Sequence, residues 1–164
     1  MKLGTNIRET VTGKLRLGAR ILQLGGYQKI FEKSFCVREG EKLLKASQCY
    51  LSTTAGPISG LLFVSTDKIA FCSQKSISFS SSNGERLRSR YKVVIPISDV
   101  KRIERKENVE KPSQKYIEIV TVDNFDFWFM GFLNYKKAFE HLQDSFAQSS
   151  NIIKLFRLLG HFSI

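Results

Sequence analysis

The sequence predicts a small antiparallel β-barrel closed at one end by an amphipathic helix, and three observations carry that prediction. Apolar residues recur with a period of two between Ala46 and Gly131, and turn signals interrupt them at short intervals. After Gly131 the period changes to that of a helix. The chain has 164 residues, a length that suits one domain with short arms and buries about 70% of the unfolded surface.

The β region reads as seven short strands. Residues 49–55 form the first and stop at Gly56-Pro57, residues 58–65 follow, and Thr66-Asp67 turns the chain into residues 68–73. Residues 75–80 alternate again, with Ile77 and Phe79 on one face, before the hairpin signal Ser82-Asn83-Gly84-Glu85. Residues 86–95 run to Pro96, and residues 115–122 and 125–130 make a last hairpin around Asp123-Asn124. In the last of these, Phe125, Phe127 and Phe129 form one row, expected in the core, and Trp128 and Met130 form the other.

Both flanks read as helix. Ile7, Val11, Leu15 and Leu22 share one face over residues 6–24 while Arg8, Arg16 and Arg20 lie opposite, and Gly25-Gly26 is the expected stop. Residues 27–35 suit a second short helix with Ile30 and Phe31 inward. Over residues 132–147, Phe132, Tyr135, Phe139, Leu142 and Phe146 face inward and Lys136, Lys137, Glu140 and Asp144 face out. The stretch 151–164 is too apolar to stand in water, and the N-terminal helix is its expected cover. The predicted division is a helical arm at 1–45, a barrel domain at 46–149 and an apolar tail at 150–164. A barrel of short strands plugged by one helix is the pleckstrin-homology-like arrangement.

Composition narrows the function. With 42% hydrophobic and 25% charged residues the chain is globular, not disordered. No apolar run is long enough to span a bilayer and no secretory leader is visible. Three cysteines at unpaired spacing, Cys36, Cys49 and Cys72, point to a reducing intracellular setting. The excess of 26 basic over 15 acidic residues, a net charge of +11, attracts polyanions: phospholipid, nucleic acid or an acidic protein face.

Nothing in the sequence suggests catalysis. It has no glycine-rich phosphate loop and no nucleophile elbow. His141 and His161 lie on or after the last helix, and the cysteines have no partners at metal-ligand spacing. No cofactor and no metal are expected. Two binding surfaces remain. On a strand, Arg86, Arg88, Arg90 and Lys92 share one face, an anion-binding stripe for a lipid surface or an acidic partner. Trp128 and Met130 need a second cover, from the chain's own helices or a partner protein. Residues 101–106, diluted by Glu104, read as solvated surface. The loop 53–59 contains no Lys or Arg, which argues against a specific polyphosphorylated headgroup site of the usual kind. Stacked nucleic acid is not expected, since cations do not interleave with the aromatic block.

Three blocks of residues are familiar. The run Cys49-Tyr50-Leu51-Ser52-Thr53-Thr54-Ala55-Gly56-Pro57-Ile58-Ser59-Gly60-Leu61-Leu62-Phe63-Val64-Ser65, the segment Tyr91-Lys92-Val93-Val94-Ile95-Pro96 and the block Val122-Asp123-Asn124-Phe125-Asp126-Phe127-Trp128-Phe129-Met130-Gly131-Phe132-Leu133-Asn134-Tyr135 together resemble the GRAM domain of plant GEM-like, abscisic-acid-responsive proteins. The lead-in Gly25-Gly26-Tyr27-Gln28-Lys29-Ile30-Phe31 is similar too, so the resemblance covers roughly residues 25–147. It lacks the longer proline-rich arm usual in that family. The resemblance implies a pleckstrin-homology-like module without enzymatic activity. Such a module binds other proteins and, as a second class of partner, anionic membrane lipid, as an adaptor in hormone- or development-linked responses. The implied setting is cytoplasmic or at the membrane periphery; the alternative is a nuclear regulatory partner that makes no membrane contact.

Overall fold

The structure is a computed structural model that describes residues 25–160. The expected helix over 6–24, its contacts through Ile7, Val11 and Leu22, and His161 lie outside the described residues. The chain divides into two compact units, residues 1–39 and 40–164. In the first, residues 25–34 are helical (α1), and Gly25-Gly26, read from the sequence as a helix stop, is itself helical. Phe31 and Phe35, one turn apart, pack ring to ring at 5.7 Å.

The second unit is the predicted barrel with its helix, a pleckstrin-homology-like arrangement. Seven antiparallel strands follow one another: β1 (Leu43–Thr53), β2 (Gly56–Ser65), β3 (Lys68–Ser80), β4 (Arg86–Pro96), β5 (Val100–Glu107), β6 (Lys115–Thr121) and β7 (Asp126–Met130). A short 3-10 turn, Ile97–Asp99, joins β4 to β5. The order across the sheet is β4-β3-β2-β1-β7-β6-β5, so β4 and β5 are its two ends. Ile95 of β4 and Ile103 of β5 nevertheless join one core with Leu51, Leu62, Phe71, Ile117 and Phe129. A sheet whose two ends share a core has to curl.

The strand count matches the sequence reading, but two strands differ from it. Residues 68–73 and 75–80 are one strand with a bulge, because β4 continues to pair with β3 beyond Ser73. Residues 101–106, read from the sequence as solvated surface, do face solvent for the most part, but they do so as part of a strand, β5. Only Val100 and Ile103 of that strand are buried, while Arg102, Glu104 and Lys106 form ion pairs on the outside. The charged exterior hid the strand. Turn chemistry was legible: Asn124 takes φ 62° and Gly84 takes φ 78°, both where the sequence placed hairpin turns.

The closing helix α2 (Tyr135–Gly160) starts later and runs longer than 132–147. Asn134 caps it, its Oδ1 accepting the Lys137 backbone N–H at 3.1 Å. Ala138, Leu142 and Ser145 are buried, and Tyr135, Phe139 and Phe146 pack half-buried around them. The segment 151–160, expected as a separate tail, continues the helix. There Ile152, Leu155, Leu158 and Leu159 are exposed.

Candidate functional site: a projecting arm of β3 and β4

The arm begins where β2 stops pairing. β2 follows β3 only from Ile69 to Ser73. Beyond Ser73 the sole neighbour of β3 among the described residues is β4, so residues 76–80 and 86–90 form a two-stranded ribbon about 17 Å long. All β4 residues from Arg86 to Lys92 are exposed, on both faces of the strand. A core strand would alternate; this one has left the body of the barrel.

A bulge marks the root. Cys72 stands opposite Lys92 and Ser76 opposite Arg90, so Ser73, Gln74 and Lys75 face Tyr91 alone. The Ser73 hydroxyl accepts the Tyr91 N–H at 2.8 Å and donates to the Lys75 carbonyl at 2.8 Å. At the tip, Ser81 donates its N–H to Glu85 and Gly84 donates to Ser81, closing the hairpin over the turn that the sequence signalled.

Cross-strand register sorts the side chains. Arg86, Arg88 and Arg90 stand opposite Ser80, Ser78 and Ser76. Directly opposed residues share a face, so that face is serine on one strand and arginine on the other. Phe79 stands opposite Leu87 and Ile77 opposite Ser89 on the reverse face, with Phe79 50% and Leu87 43% exposed. The structure therefore brings the three arginines together as the sequence predicts. Among the described residues none of the three enters an ion pair. Lys92 lies on the same face at the root, across the bulge from them and opposite buried Cys72. Residues 74–92 hold five cations and a single carboxylate, Glu85.

Trp128 and Met130 occupy the outer face of β7, away from the arm. Trp128 is half-buried by its neighbours on the sheet: its ring meets Tyr116 edge-on at 5.7 Å and its Nε1 donates to Asp126 at 3.0 Å. Met130 stands opposite Tyr50 on one side and Tyr116 on the other. With Tyr50, Pro57, Lys115, Phe132 and Tyr135 it lines an open cleft of about 500 Å³. Tyr135 donates its hydroxyl to the Tyr116 carbonyl at 3.0 Å, and burial pushes its pKa up from the ordinary phenol value. Sequence reasoning missed this cleft, because its walls come from four separated segments. One expectation for the aromatic block fails: Phe125 is 64% exposed, outside β7, while Phe127 and Phe129 do face the core. The Thr121 backbone N–H donates to the Phe125 carbonyl in the tight turn, which leaves the Phe125 ring outside the alternation.

Cys49 sits in the core, and burial pushes its thiol up to about 12. His141 is half-buried on α2, with Nδ1 2.7 Å from the Lys137 carbonyl. Among the described residues no cluster of three His, Cys, Asp or Glu side chains could hold a metal ion. The same residues contain no helix long and apolar enough to cross a membrane.

Fold and surface define a small β-barrel module that presents a basic arm. A GRAM domain family model matches residues 29–151. The chain is 57% identical over 148 residues to GEM-like protein 4 of Arabidopsis thaliana, spanning 90% of this chain and 67% of that protein. It is 58% identical over 148 residues to putative GEM-like protein 8 of the same plant, spanning 90% and 68%. The chain thus belongs to the GRAM-domain GEM-like family, and it spans about two thirds of these relatives' length. A solved structure, the C-terminal domain of an unknown protein from Leishmania infantum, superposes with a TM-score of 0.59 at 21% identity. That match covers 74% of this chain and 98% of the other, and it shows the fold alone.

Proposed function

We propose that this protein is a non-enzymatic adaptor that docks acidic partner proteins on its projecting β3–β4 arm. The observation that carries this reading is the row Arg86, Arg88 and Arg90, set on a two-stranded ribbon and opposed only by serines. Cations held in register on one strand face offer a carboxylate charge-assisted hydrogen bonds, and among the described residues the three arginines have no ion-pair partner to give up. Family membership supports the binding role, and hormone- or development-linked signalling, which the resemblance implies, is the setting proposed for it. The outer face of Trp128 and Met130, beside the cleft at Tyr50 and Phe132, is the proposed second contact surface.

An anionic membrane is the second class of partner. Each basic group near an acidic leaflet contributes about 1 kcal/mol, and at physiological ionic strength the Debye length of about 8 Å screens much of it. The uncharged turn between β1 and β2, where Thr53 Oγ1 donates to the Gly56 carbonyl at 2.6 Å, adds no cation. Fluorescence anisotropy with labelled polyglutamate, set against vesicles of phosphatidylserine diluted in phosphatidylcholine, tests the reading. Polyglutamate binding that weakens with salt and is lost in the Arg88→Glu, Arg90→Glu double variant is the expected result. Equal binding by the double variant and the wild type would overturn it.

A further inference from the structure

The arm also offers main chain, and its parity can be read from three hydrogen bonds. Tyr91 donates its N–H to Ser73 of β3. The Glu85 carbonyl accepts from Ser81, and Ile97 donates to the Asp67 carbonyl. All three residues on the β4 side carry odd numbers and all three turn toward β3. Successive residues of a strand direct their N–H and C=O groups to opposite sides. The main-chain groups of Arg86, Arg88 and Arg90 therefore turn away from β3. On that side the sheet has no further strand among the described residues, since β4 is its end.

Three features thus coincide on one edge. The same three residues that aim main-chain donors and acceptors outward also raise arginine side chains on one face. Leu87, Ser89 and Tyr91 lie on the other face, where the apolar surface of Leu87 and Tyr91 is exposed on either side of the serine. We infer that β4 is a strand-addition site for an extended acidic segment of a partner protein. Its alternate residues are Asp or Glu over the arginines, and those between are apolar and lie beside Leu87 and Tyr91. This rests on the reading of the arm as the docking element.

The alternatives meet fewer of the three features. A leaflet is a surface, and the arginines and the apolar side chains face opposite ways, so it meets one set and leaves the other in water. Pushing the edge into lipid would also leave its N–H and C=O groups unpaired, which bilayers do not tolerate. A second copy of this chain, paired antiparallel through the same edge, would set outward-turned residues against each other and so arginine against arginine. An acidic strand satisfies the main chain, the charge and the apolar face at once.

The test uses the full chain and a capped synthetic peptide in which Glu alternates with Val. Two companion peptides keep the sequence and charge but carry N-methyl groups on every second residue, one in each phase. Binding is read by anisotropy, and edge protection by amide hydrogen exchange. Expected are binding of the parent peptide and slowed exchange at the Arg88 and Arg90 amides, with the Tyr91 amide, already bonded to Ser73, unchanged. One N-methylated phase should lose binding and the other retain it. The Arg88→Glu, Arg90→Glu variant should bind on the order of tenfold more weakly, its Tyr91 amide reporting that the arm is still folded. If both methylated peptides bind like the parent while the double variant fails, contact is by charge alone: strand addition falls and the docking arm stands. If the double variant binds like the wild type, both fall. Binding to phosphatidylserine vesicles with no binding of the parent peptide overturns the inference in favour of the lipid surface.

Discussion

Tyr91 gives its main-chain N–H to the hydroxyl of Ser73, 2.8 Å away, and not to a carbonyl of the neighbouring strand. Three residues of β3 stand against this one residue of β4, so the ladder has no carbonyl in place for it. A serine at that position fills the gap and lets β4 run on as an arm.

Ser73→Ala should therefore loosen the arm's root. Ser73 is 1% exposed, and the change would strand the Tyr91 N–H and the Lys75 carbonyl together. A loss of about 1–3 kcal/mol is expected in chemical denaturation, with faster amide exchange at Tyr91. Unchanged exchange at that amide would mean that the hydroxyl does not hold the root.

How much of this was legible beforehand depends on where each residue's partners lie. Turns at Gly84 and Asn124 could be read because a local backbone conformation selects the residue. The arginine row was legible because alternation needs only a strand. The arm was not: that β2 stops at Ser73 while β4 continues is a fact of pairing, written in no single strand. β5 was hidden for a similar reason. Glu104 pairs with Lys106 beside it and Lys106 also reaches Glu118 on the next strand at 3.6 Å, so its polarity reflects neighbours in space. The charged hydrogen bond from Lys106 in turn holds the Glu104 carboxyl below its usual range.

The end of the barrel makes a second prediction. Leu142 is 1% exposed inside the core, whereas Phe139 is half-buried with the Arg105 guanidinium 4.8 Å from its ring centroid. Leu142→Ala should cost about 2–5 kcal/mol. Phe139→Ala should cost less than Leu142→Ala despite removing more atoms, because water already reaches the ring. Thermal or urea unfolding of the two variants decides the order, and the reverse order would contradict this packing.

Gly60 allows no side chain. A Cβ there would stand 2.4 Å from the Cys72 carbonyl oxygen and 2.5 Å from the Phe71 ring. The carbonyl belongs to the β2–β3 ladder and cannot swing aside, so Gly60→Ala should destabilise by about 3 kcal/mol or more. A variant as stable as the wild type in urea would show that β2 and β3 approach less closely.

The cysteines should separate by accessibility and by acidity. Cys36 is exposed, while Cys49 and Cys72 are buried. At neutral pH iodoacetamide should label Cys36 and spare the other two until the protein unfolds, as mass spectrometry of the intact chain would show. The raised pKa of Cys49 has a stability counterpart. The folded state keeps its proton up to about 12, while the unfolded thiol loses it near its ordinary value of about 8.5. That contribution is fully present below the unfolded value and is lost as pH rises toward the folded one. Denaturation midpoints should then fall on the alkaline side, and Cys49→Ala should flatten that fall.

Charge reversal on the arm should separate binding from folding. The side chains opposite Arg88 and Arg90 are Ser78 and Ser76, and among the described residues no carboxylate pairs with either arginine. Reversal therefore breaks no internal ion pair and empties no core site. The Arg88→Glu, Arg90→Glu variant should unfold within about 0.5 kcal/mol of the wild type, as surface substitutions do. Its local field changes completely, because two positive charges become negative on a ribbon whose own carboxylate, Glu85, lies at the tip. Wild-type binding to an acidic partner should weaken steeply as salt rises, since exposed charges are screened within the Debye length, and the variant should show no such dependence. Urea denaturation and anisotropy across a salt series, on the same preparations, measure both. A variant that unfolds early would place the arginines in the fold, and one that keeps its salt-dependent binding would move the docking surface elsewhere on the molecule.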